Sequence, residues 1–219
     1  MIKAVIFDMD GVLVNSEPLH KKAYYNMFKD FKLDVSESLY ESFTGKSTYS
    51  ICEQLCLKFK LNIHPDKLVN SKRKHFKYIF ENDKSFKMID GAHELIKDYC
   101  KNNLKLVLAS SASMLTINKV FEKFDLDKFF VAKISGADLK QSKPNPEIFL
   151  KAAKISGHNK KDCIVIEDST NGIIAANSAG IFCVGYKSKN SINQNYSLAD
   201  LVISNFNQIC FKEISKKFN

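Results

Sequence analysis

Val5-Ile6-Phe7-Asp8-Met9-Asp10-Gly11-Val12-Leu13-Val14-Asn15-Ser16 is the stretch that decides the fold of this chain. It continues an apolar run that begins at Ile2, and a continuous apolar run is typical of a buried parallel strand. Two aspartates and a glycine follow at once. We expect Asp8 and Asp10 at the carboxyl end of the strand, where open α/β sheets bind ligands. Residues two apart on an extended chain point the same way, so both carboxylates can face one pocket.

Taken alone, Asp-x-Asp-Gly is more often only a polar turn after a strand. The rest of the chain argues for more than a turn, because strand and helix patterns alternate after residue 86 and predict parallel pairing. Residues 16–85 read instead as a block of helices. We therefore predict a doubly wound, Rossmann-like α/β core of residues 1–15 and 86–219, with an all-helical cap domain, residues 16–85, inserted after the first strand.

Composition limits the class of protein. At 219 residues and 45% hydrophobic content, the chain can bury a proper core. No apolar stretch is long enough to span a bilayer, and the first strand leaves no room for a signal peptide. We expect a cytoplasmic protein, monomeric and without a membrane partner.

The net charge of +9 raises the question of nucleic-acid binding. The lysines are spread along the chain among acids, and no DNA- or RNA-binding motif accompanies them, so a solvated basic surface is the better explanation. Such a surface still attracts small anions. Six cysteines lie in apolar segments and are expected as buried thiols; Cys52 and Cys56 lack the further Cys or His ligands of a zinc site.

Polar residues end three of the predicted strands, and a lysine lies in a stiff loop nearby. The strand ends carry Asp8 with Asp10, Ser110, and Glu167 with Asp168. Lys143 stands in Ser142-Lys143-Pro144-Asn145-Pro146-Glu147, where two prolines restrict the backbone. Carboxylate oxygens suit Mg²⁺. A cation, a lysine and a hydroxyl together suit the oxygens of a phosphoryl group.

This ordered set resembles the haloacid dehalogenase superfamily. The resemblance rests on Asp8-x-Asp10-Gly11-Val12, the strand-end Ser110, Lys143-Pro144 and Glu167-Asp168-Ser169. The helical insert after the first motif is similar to the phosphatase and β-phosphoglucomutase branch. Asp10 marks a phosphotransfer member rather than a dehalogenase.

The resemblance implies a role for each matched residue. Asp8 would be the nucleophile that forms an aspartyl-phosphate, and Asp10 the general acid and then the base. Ser110 and Lys143 would bind the phosphoryl group. The Mg²⁺ site would comprise Asp8, the main-chain carbonyl of Asp10 and Asp168, with Glu167 either a further ligand or a residue that orients one.

The cap implied by the resemblance would select the substrate. Matched cap positions are His20, Gly45, Lys46 and Lys74. The mutase carries an arginine where this chain has Thr48, and threonine cannot make a bidentate phosphate contact. We therefore expect a Mg²⁺-dependent phosphatase of a small phosphorylated metabolite, a sugar phosphate, with β-phosphoglucomutase activity as the alternative. A nucleic-acid-binding module and a non-catalytic regulator are the alternatives from other classes.

Overall fold

A six-stranded parallel sheet forms the centre of the structure, a computed structural model that describes residues 1–43, 47–188 and 193–218. Every neighbouring pair of strands is parallel, in the order β3-β2-β1-β4-β5-β6. The strands are β1 (Ala4–Phe7), β2 (Lys105–Ser110), β3 (Phe130–Ser135), β4 (Cys163–Glu167), β5 (Phe182–Tyr186) and β6 (Leu201–Ile203). The predicted doubly wound α/β fold is confirmed.

Helices cover both faces of the sheet because its central strands are apolar on both faces. The sheet's helices are α5 (Ala92–Lys101), α6 (Met114–Lys123), α7 (Glu147–Ser156) and α8 (Thr170–Ala179). Ile6 and its neighbours on that face form a core with residues of α7 and α8, such as Phe149 and Ile173. Phe7 points the opposite way, and its ring lies 6.2 Å from that of Tyr99 in α5. This alternation follows from the two-residue period of a strand.

The order of the strands places β1 at the switch in direction of the sheet. β1 pairs with β2 on one side and β4 on the other, with Phe7 opposite Leu108 and Ile166. The residues that follow these three strands therefore lie at neighbouring positions on one edge. Such an edge is where open α/β sheets bind ligands.

The chain divides into two compact units. The first consists of Met1–Asn15 and Met88–Asn219 and contains the sheet. The second, Ser16–Lys87, has its own buried core, which includes Met27, Leu55 and Leu68. Its helices are α1 (Glu17–Asp30), α2 (Glu37–Glu41), α3 (Thr48–Lys58) and α4 (Asp66–Asn82).

The C-terminal segment from Phe206 does not form one continuous helix. It forms short pieces, 3₁₀ turns at Phe206–Ile209 and Ser215–Lys217 and a helix, α9, at Phe211–Ile214. Contacts with α5 explain the break: Tyr99 Oη donates to the Ile209 carbonyl at 2.6 Å, and the Phe211 amide donates to Asp98 at 2.6 Å. Within the described ranges, no helix is both long and apolar enough to cross a membrane.

Candidate active site

Asp8 follows β1 directly and is almost completely buried. Its amide donates to the Ile166 carbonyl of β4 at 3.0 Å, which fixes the backbone at the point where the sheet ends. A tight loop comes next. Gly11 has a φ of 84°, a left-handed conformation that favours glycine, and its amide donates to the Val14 carbonyl at 2.9 Å. The loop keeps Asp10, which is partly exposed, close to Asp8.

Lys143 joins three strands through its ammonium group. Its Nζ lies 2.5 Å from Asp8 Oδ1, 2.8 Å from Glu167 Oε1 and 3.1 Å from the Ala109 carbonyl. The side chains of Lys143, Asp8 and Glu167 are exposed by 5%, 9% and 1% of their surface. An ion cluster so deeply buried is costly to desolvate and requires close hydrogen bonding of every charge. Such clusters are typical of functional sites.

The electrostatics of the cluster act on Asp8 and Lys143 in different ways. Burial raises the pKa of Asp8, Lys143 lowers it, and Glu167 and Asp10 raise it, so that the pKa lies at about 7. Burial lowers the pKa of Lys143, but the two carboxylates outweigh burial and hold that pKa above its usual value. Lys143 is therefore a permanent positive charge against Asp8.

Glu167 ends β4 with both carboxylate oxygens engaged. Oε1 accepts from Lys143, and Oε2 accepts from the amide of Ser169 at 2.7 Å and from its hydroxyl at 2.9 Å. The carboxylate lies against the backbone of Gly172 in α8, where a Cβ would be only 1.7 Å from Oε1. Glu167 is thus locked in place by Lys143, Ser169 and the absence of a side chain at Gly172.

Asp168 comes next and meets the loop that carries Asp8 and Asp10. A Cβ on Gly11 would lie 2.1 Å from Asp168 Oδ2, so the glycine leaves the space that this carboxylate fills. Ser169 then caps α8, with its hydroxyl accepting from the Gly172 amide at 3.1 Å. The sheet edge therefore brings together the predicted residues Asp8, Lys143, Glu167 and Asp168.

Ser110, the other predicted phosphate ligand, ends β2. It is buried, and its hydroxyl accepts from the Ala112 amide at 3.1 Å. The residue before it, Ala109, supplies the carbonyl that accepts from Lys143. Ser110 is therefore one residue from the ion cluster, at the start of the turn that leads to α6.

The same residues bear on the predicted Mg²⁺ site. Across the described ranges, no three His, Cys, Asp or Glu side chains are gathered into a metal-binding group. Mg²⁺ commonly needs only one or two carboxylates and completes its shell with waters and substrate phosphate. Asp8, on the loop of Gly11, and Asp168, held against that glycine, are oxygen donors of the required kind. The donor set fits Mg²⁺, with Glu167 committed to Lys143.

In the second unit, the partly buried His20 pairs with the buried Lys72. Lys72 Nζ lies 2.8 Å from His20 Nδ1, and the His20 ring stacks on Phe76 at 4.4 Å. Lys72 is 5% exposed and also lies 4.9 Å from the centre of the Tyr24 ring. Burial, and then the charge of Lys72, hold the pKa of His20 well below its usual value.

The predicted cap lysine, Lys74, is exposed on α4, and its role toward the substrate stays a prediction. The lysine that contacts His20 is Lys72, two residues earlier on the same helix. Periodicity gave a signal for Lys72, because it shares a helix face with Leu68, Val69 and Phe76. Gly45 and Lys46 lie outside the described residues. Sequence reasoning also missed Gly172 and Tyr196, whose hydroxyl contacts the Asp168 carbonyl.

Comparison with known proteins gives a family and relatives. A family model described as haloacid dehalogenase-like hydrolase matches residues 5–186, which include every core motif above. "Phosphorylated carbohydrates phosphatase" of Thermotoga maritima is 30% identical over 208 residues, 91% of each chain. The crystal structure of a β-phosphoglucomutase from Clostridium difficile has a TM-score of 0.81 at 30% identity, covering 100% of this chain and 98% of that one.

A longer relative shows the same domain within a larger protein. "Protein SUPPRESSOR OF QUENCHING 1, chloroplastic" of Arabidopsis thaliana is 33% identical over 192 residues. The match takes in 85% of this chain but 18% of that protein.

Proposed function

Because the chain belongs to the haloacid dehalogenase-like hydrolase family, we propose that it hydrolyses the phosphate monoester of a small phosphorylated metabolite, a sugar phosphate, with Mg²⁺ and through an aspartyl-phosphate. The observation that carries this proposal is the contact of Lys143 Nζ with both Asp8 and Glu167 at the sheet edge. The contact supplies a buried carboxylate with a fixed positive charge beside it. Asp10 lies two residues away on the same loop.

Asp8 is the nucleophile in this proposal. One of its carboxylate oxygens forms a bond to phosphorus while the bond from phosphorus to the substrate oxygen breaks. Lys143 holds Oδ1, so attack falls to Oδ2, to which no described residue donates a hydrogen bond. An anion that attacks another anion needs its repulsion cancelled in advance, and Lys143 does so without reorganising.

Asp10 is the general acid and then the general base in this proposal. It gives a proton to the substrate oxygen as that oxygen leaves, and the same carboxylate then takes a proton from the water that attacks the phosphoaspartate. Phosphate leaves and Asp8 is restored. Ser110, at the end of β2, donates its hydroxyl to a phosphoryl oxygen.

Members of this superfamily generally use Mg²⁺, and we assign its binding here to Asp8, Asp168 and the main-chain carbonyl of Asp10. When bound, the ion neutralises the phosphoryl oxygens and polarises phosphorus toward attack. Asp168 has no part in proton transfer in this proposal. Glu167 keeps Lys143 in place between the acids.

The substrate class rests on the relatives and on the basic composition. The Thermotoga maritima relative is named as a phosphatase of phosphorylated carbohydrates, and "Hexitol phosphatase B" of Escherichia coli is also similar. A net charge of +9 favours anionic substrates. We assign substrate selection to the unit Ser16–Lys87, in which the partly buried His20 contacts the buried Lys72.

A β-phosphoglucomutase activity is the second candidate. Proteins of that name are among the similar sequences and structures. In this chain Thr48, at the start of α3, carries no charge. A threonine cannot hold the second phosphate of a sugar bisphosphate as an arginine would, so we place hydrolysis first.

Phosphate release from a panel of sugar phosphates and nucleotides, with and without Mg²⁺, tests the proposal. Asp8→Asn is the negative control. The panel includes β-glucose 1-phosphate with catalytic glucose 1,6-bisphosphate, assayed for glucose 6-phosphate. Metal-dependent phosphate release that Asp8→Asn abolishes is the expected result. Glucose 6-phosphate formed without free phosphate would establish the mutase, and the absence of both products would refute both candidates.

A further inference from the structure

Tyr196 lies against the segment that follows β4, in a loop between β5 and β6. Its hydroxyl donates to the main-chain carbonyl of Asp168 at 3.0 Å and lies 3.4 Å from the carbonyl of Tyr186. The first distance is that of a good hydrogen bond and the second is long. The tyrosine therefore holds the backbone of the residue whose carboxylate fills the space beside Gly11.

The position of Tyr196 is fixed by packing as well as by its hydroxyl. Its ring packs against the core cluster between the sheet and α7 and α8. At Gly185 in β5, a Cβ would lie 2.8 Å from Cδ1 of this ring. The ring thus occupies space that a side chain on β5 would otherwise take, and its hydroxyl can reach Asp168 from only a narrow range of positions.

A neighbour in the same loop holds the next residues of the segment. Gln194 Oε1 accepts from the Thr170 amide at 2.6 Å and from the Thr170 hydroxyl at 2.8 Å. The Asn195 amide in turn donates to the Thr170 hydroxyl at 2.8 Å. Three residues of one loop therefore hold Asp168 and Thr170, the residues on either side of the helix cap Ser169.

The neighbours of Asp168 are held in other ways. Glu167 is fixed by Lys143, and Ser169 by Glu167 and the start of α8. The main-chain carbonyl of Asp168 accepts a hydrogen bond from the Tyr196 hydroxyl. Loss of that bond would leave the carboxylate of Asp168 less well directed while the ion cluster at Lys143 remained intact.

We infer that Tyr196 is a positioning residue for the metal-binding carboxylate of Asp168, an inference that rests on the proposed function. Groups that orient a metal ligand from outside typically contribute about 10- to 100-fold in metal affinity or activity. Tyr196 touches neither substrate nor the attacking oxygen in this account. Its effect is on metal affinity, and the chemical step at saturating metal is left unchanged.

Binding of Mn²⁺ alone, measured from the EPR signal of the free ion, tests the inference with the full chain. The variants are Tyr196→Phe and the matched control Tyr99→Phe, which removes a buried hydroxyl bonded to the Ile209 carbonyl, away from the site. We expect Tyr196→Phe to raise the Kd for Mn²⁺ about 10-fold and Tyr99→Phe to leave it unchanged. In phosphatase assays, Tyr196→Phe should need about 10-fold more Mg²⁺ and then reach the wild-type kcat.

Two results would overturn the inference. One is a Kd for Mn²⁺ in Tyr196→Phe equal to that of the wild type; the other is an equal rise in Tyr99→Phe. Should Tyr196→Phe not fold, Gln194→Met carries the same test, with a smaller rise expected because Gln194 holds Thr170. Asp168→Asn separates the two proposals: Mn²⁺ binding that is lost in Asp168→Asn but kept in Tyr196→Phe refutes the role of Tyr196 alone. A wild-type chain that binds no Mn²⁺ and releases no phosphate refutes both.

Discussion

The ammonium of Lys143 lies 2.5 Å from Oδ1 of Asp8, although 135 positions separate the two residues in the chain. The contact exists because the loop before α7 brings Lys143 to the edge of the sheet where β1, β2 and β4 end side by side. It neutralises a carboxylate that is otherwise buried beside Glu167 and Asp10. In the proposed reaction, the same contact prepares Asp8 to attack a phosphoryl group.

The first prediction concerns Lys143→Met. The change leaves Asp8 and Glu167 buried without a counter-charge, and breaking a buried ion pair in this way costs about 3–5 kcal/mol of the free energy of unfolding. Phosphatase activity should be lost. Urea unfolding and phosphate release measure the two effects.

The pH dependence of Lys143→Met follows from the same cluster. The pKa of Asp8 is already raised to about 7 in the folded protein, and loss of Lys143 raises it further. The folded variant then binds a proton that the unfolded chain releases, so its stability should increase as the pH falls from about 7 to 5. Lys151→Met, which breaks an exposed pair with Glu147, is the control and should change little. If Lys143→Met and the wild type had the same free energy of unfolding at neutral pH, Lys143 would not be paired with the buried carboxylates of Asp8 and Glu167.

Asp10→Asn tests the assignment of the general acid. An asparagine cannot give a proton to the leaving oxygen, and general acid catalysis typically contributes about 10²- to 10⁴-fold. We expect formation of the phosphoaspartate from a sugar phosphate to slow by that factor. With an activated aryl phosphate, whose leaving oxygen needs no proton, the rate of phosphoaspartate formation should fall much less. Single-turnover kinetics with both substrates measure the difference; equal losses would remove Asp10 from this role.

Gly172→Ala should destabilise the protein, although alanine is the better helix former. Propensity alone predicts a gain of about 1 kcal/mol in the free energy of unfolding. The added methyl group, however, would overlap the Glu167 carboxylate at 1.7 Å, and displacement of Glu167 would disturb Lys143. Crowding a packed interior costs about 1–3 kcal/mol. Chemical denaturation measures whether the free energy of unfolding rises or falls in Gly172→Ala. A variant more stable than the wild type would show that Glu167 does not lie against α8.

His20 should make the stability depend on pH. Burial and Lys72 hold the pKa of His20 well below 6.5 in the folded protein, so the unfolded chain takes up a proton first as the pH falls. The free energy of unfolding should therefore decrease below about pH 6.5, by at most about 1.4 kcal/mol per pH unit from this residue. Urea unfolding between about pH 8 and 5 should show a smaller slope for His20→Gln. His64→Gln, at an exposed position of the same unit, is the control. If the free energy of unfolding of His20→Gln fell with pH as steeply as that of the wild type, His20 would not be the source of the pH dependence.

The fold, the family and the enzyme class could be predicted from the sequence, and all three are confirmed. The reason is that polar residues at the ends of buried parallel strands must lie at the edge of the sheet, where they are close to one another. Asp8 follows one such strand and Glu167 is the last residue of another, and both contact Lys143 in the structure. The catalytic roles of these residues and the bounds of the cap domain stay predictions.

Side-chain detail within an element was harder to predict. Lys72 and Lys74 are both lysines on α4, and only packing decides that Lys72 lies inside with His20. The break at Cys210 depends on Asp98 and Tyr99, more than 100 positions away, whose hydrogen bonds replace those of a continuous helix. The role of Tyr196 likewise depends on a contact between distant residues. Apart from the helical spacing that places Lys72 on the face of Leu68 and Val69, these contacts leave no local pattern in the sequence.

The central claim is that Asp8 becomes phosphorylated, and chemical trapping tests it most directly. The enzyme is mixed with Mg²⁺ and its best sugar phosphate, quenched in acid and reduced with borohydride, which converts an acyl phosphate on aspartate into homoserine. Peptide mass spectrometry then locates the change. We predict homoserine at position 8 and its absence when substrate or Mg²⁺ is left out. Turnover with no homoserine at position 8, or with homoserine at position 10 instead, would contradict the account.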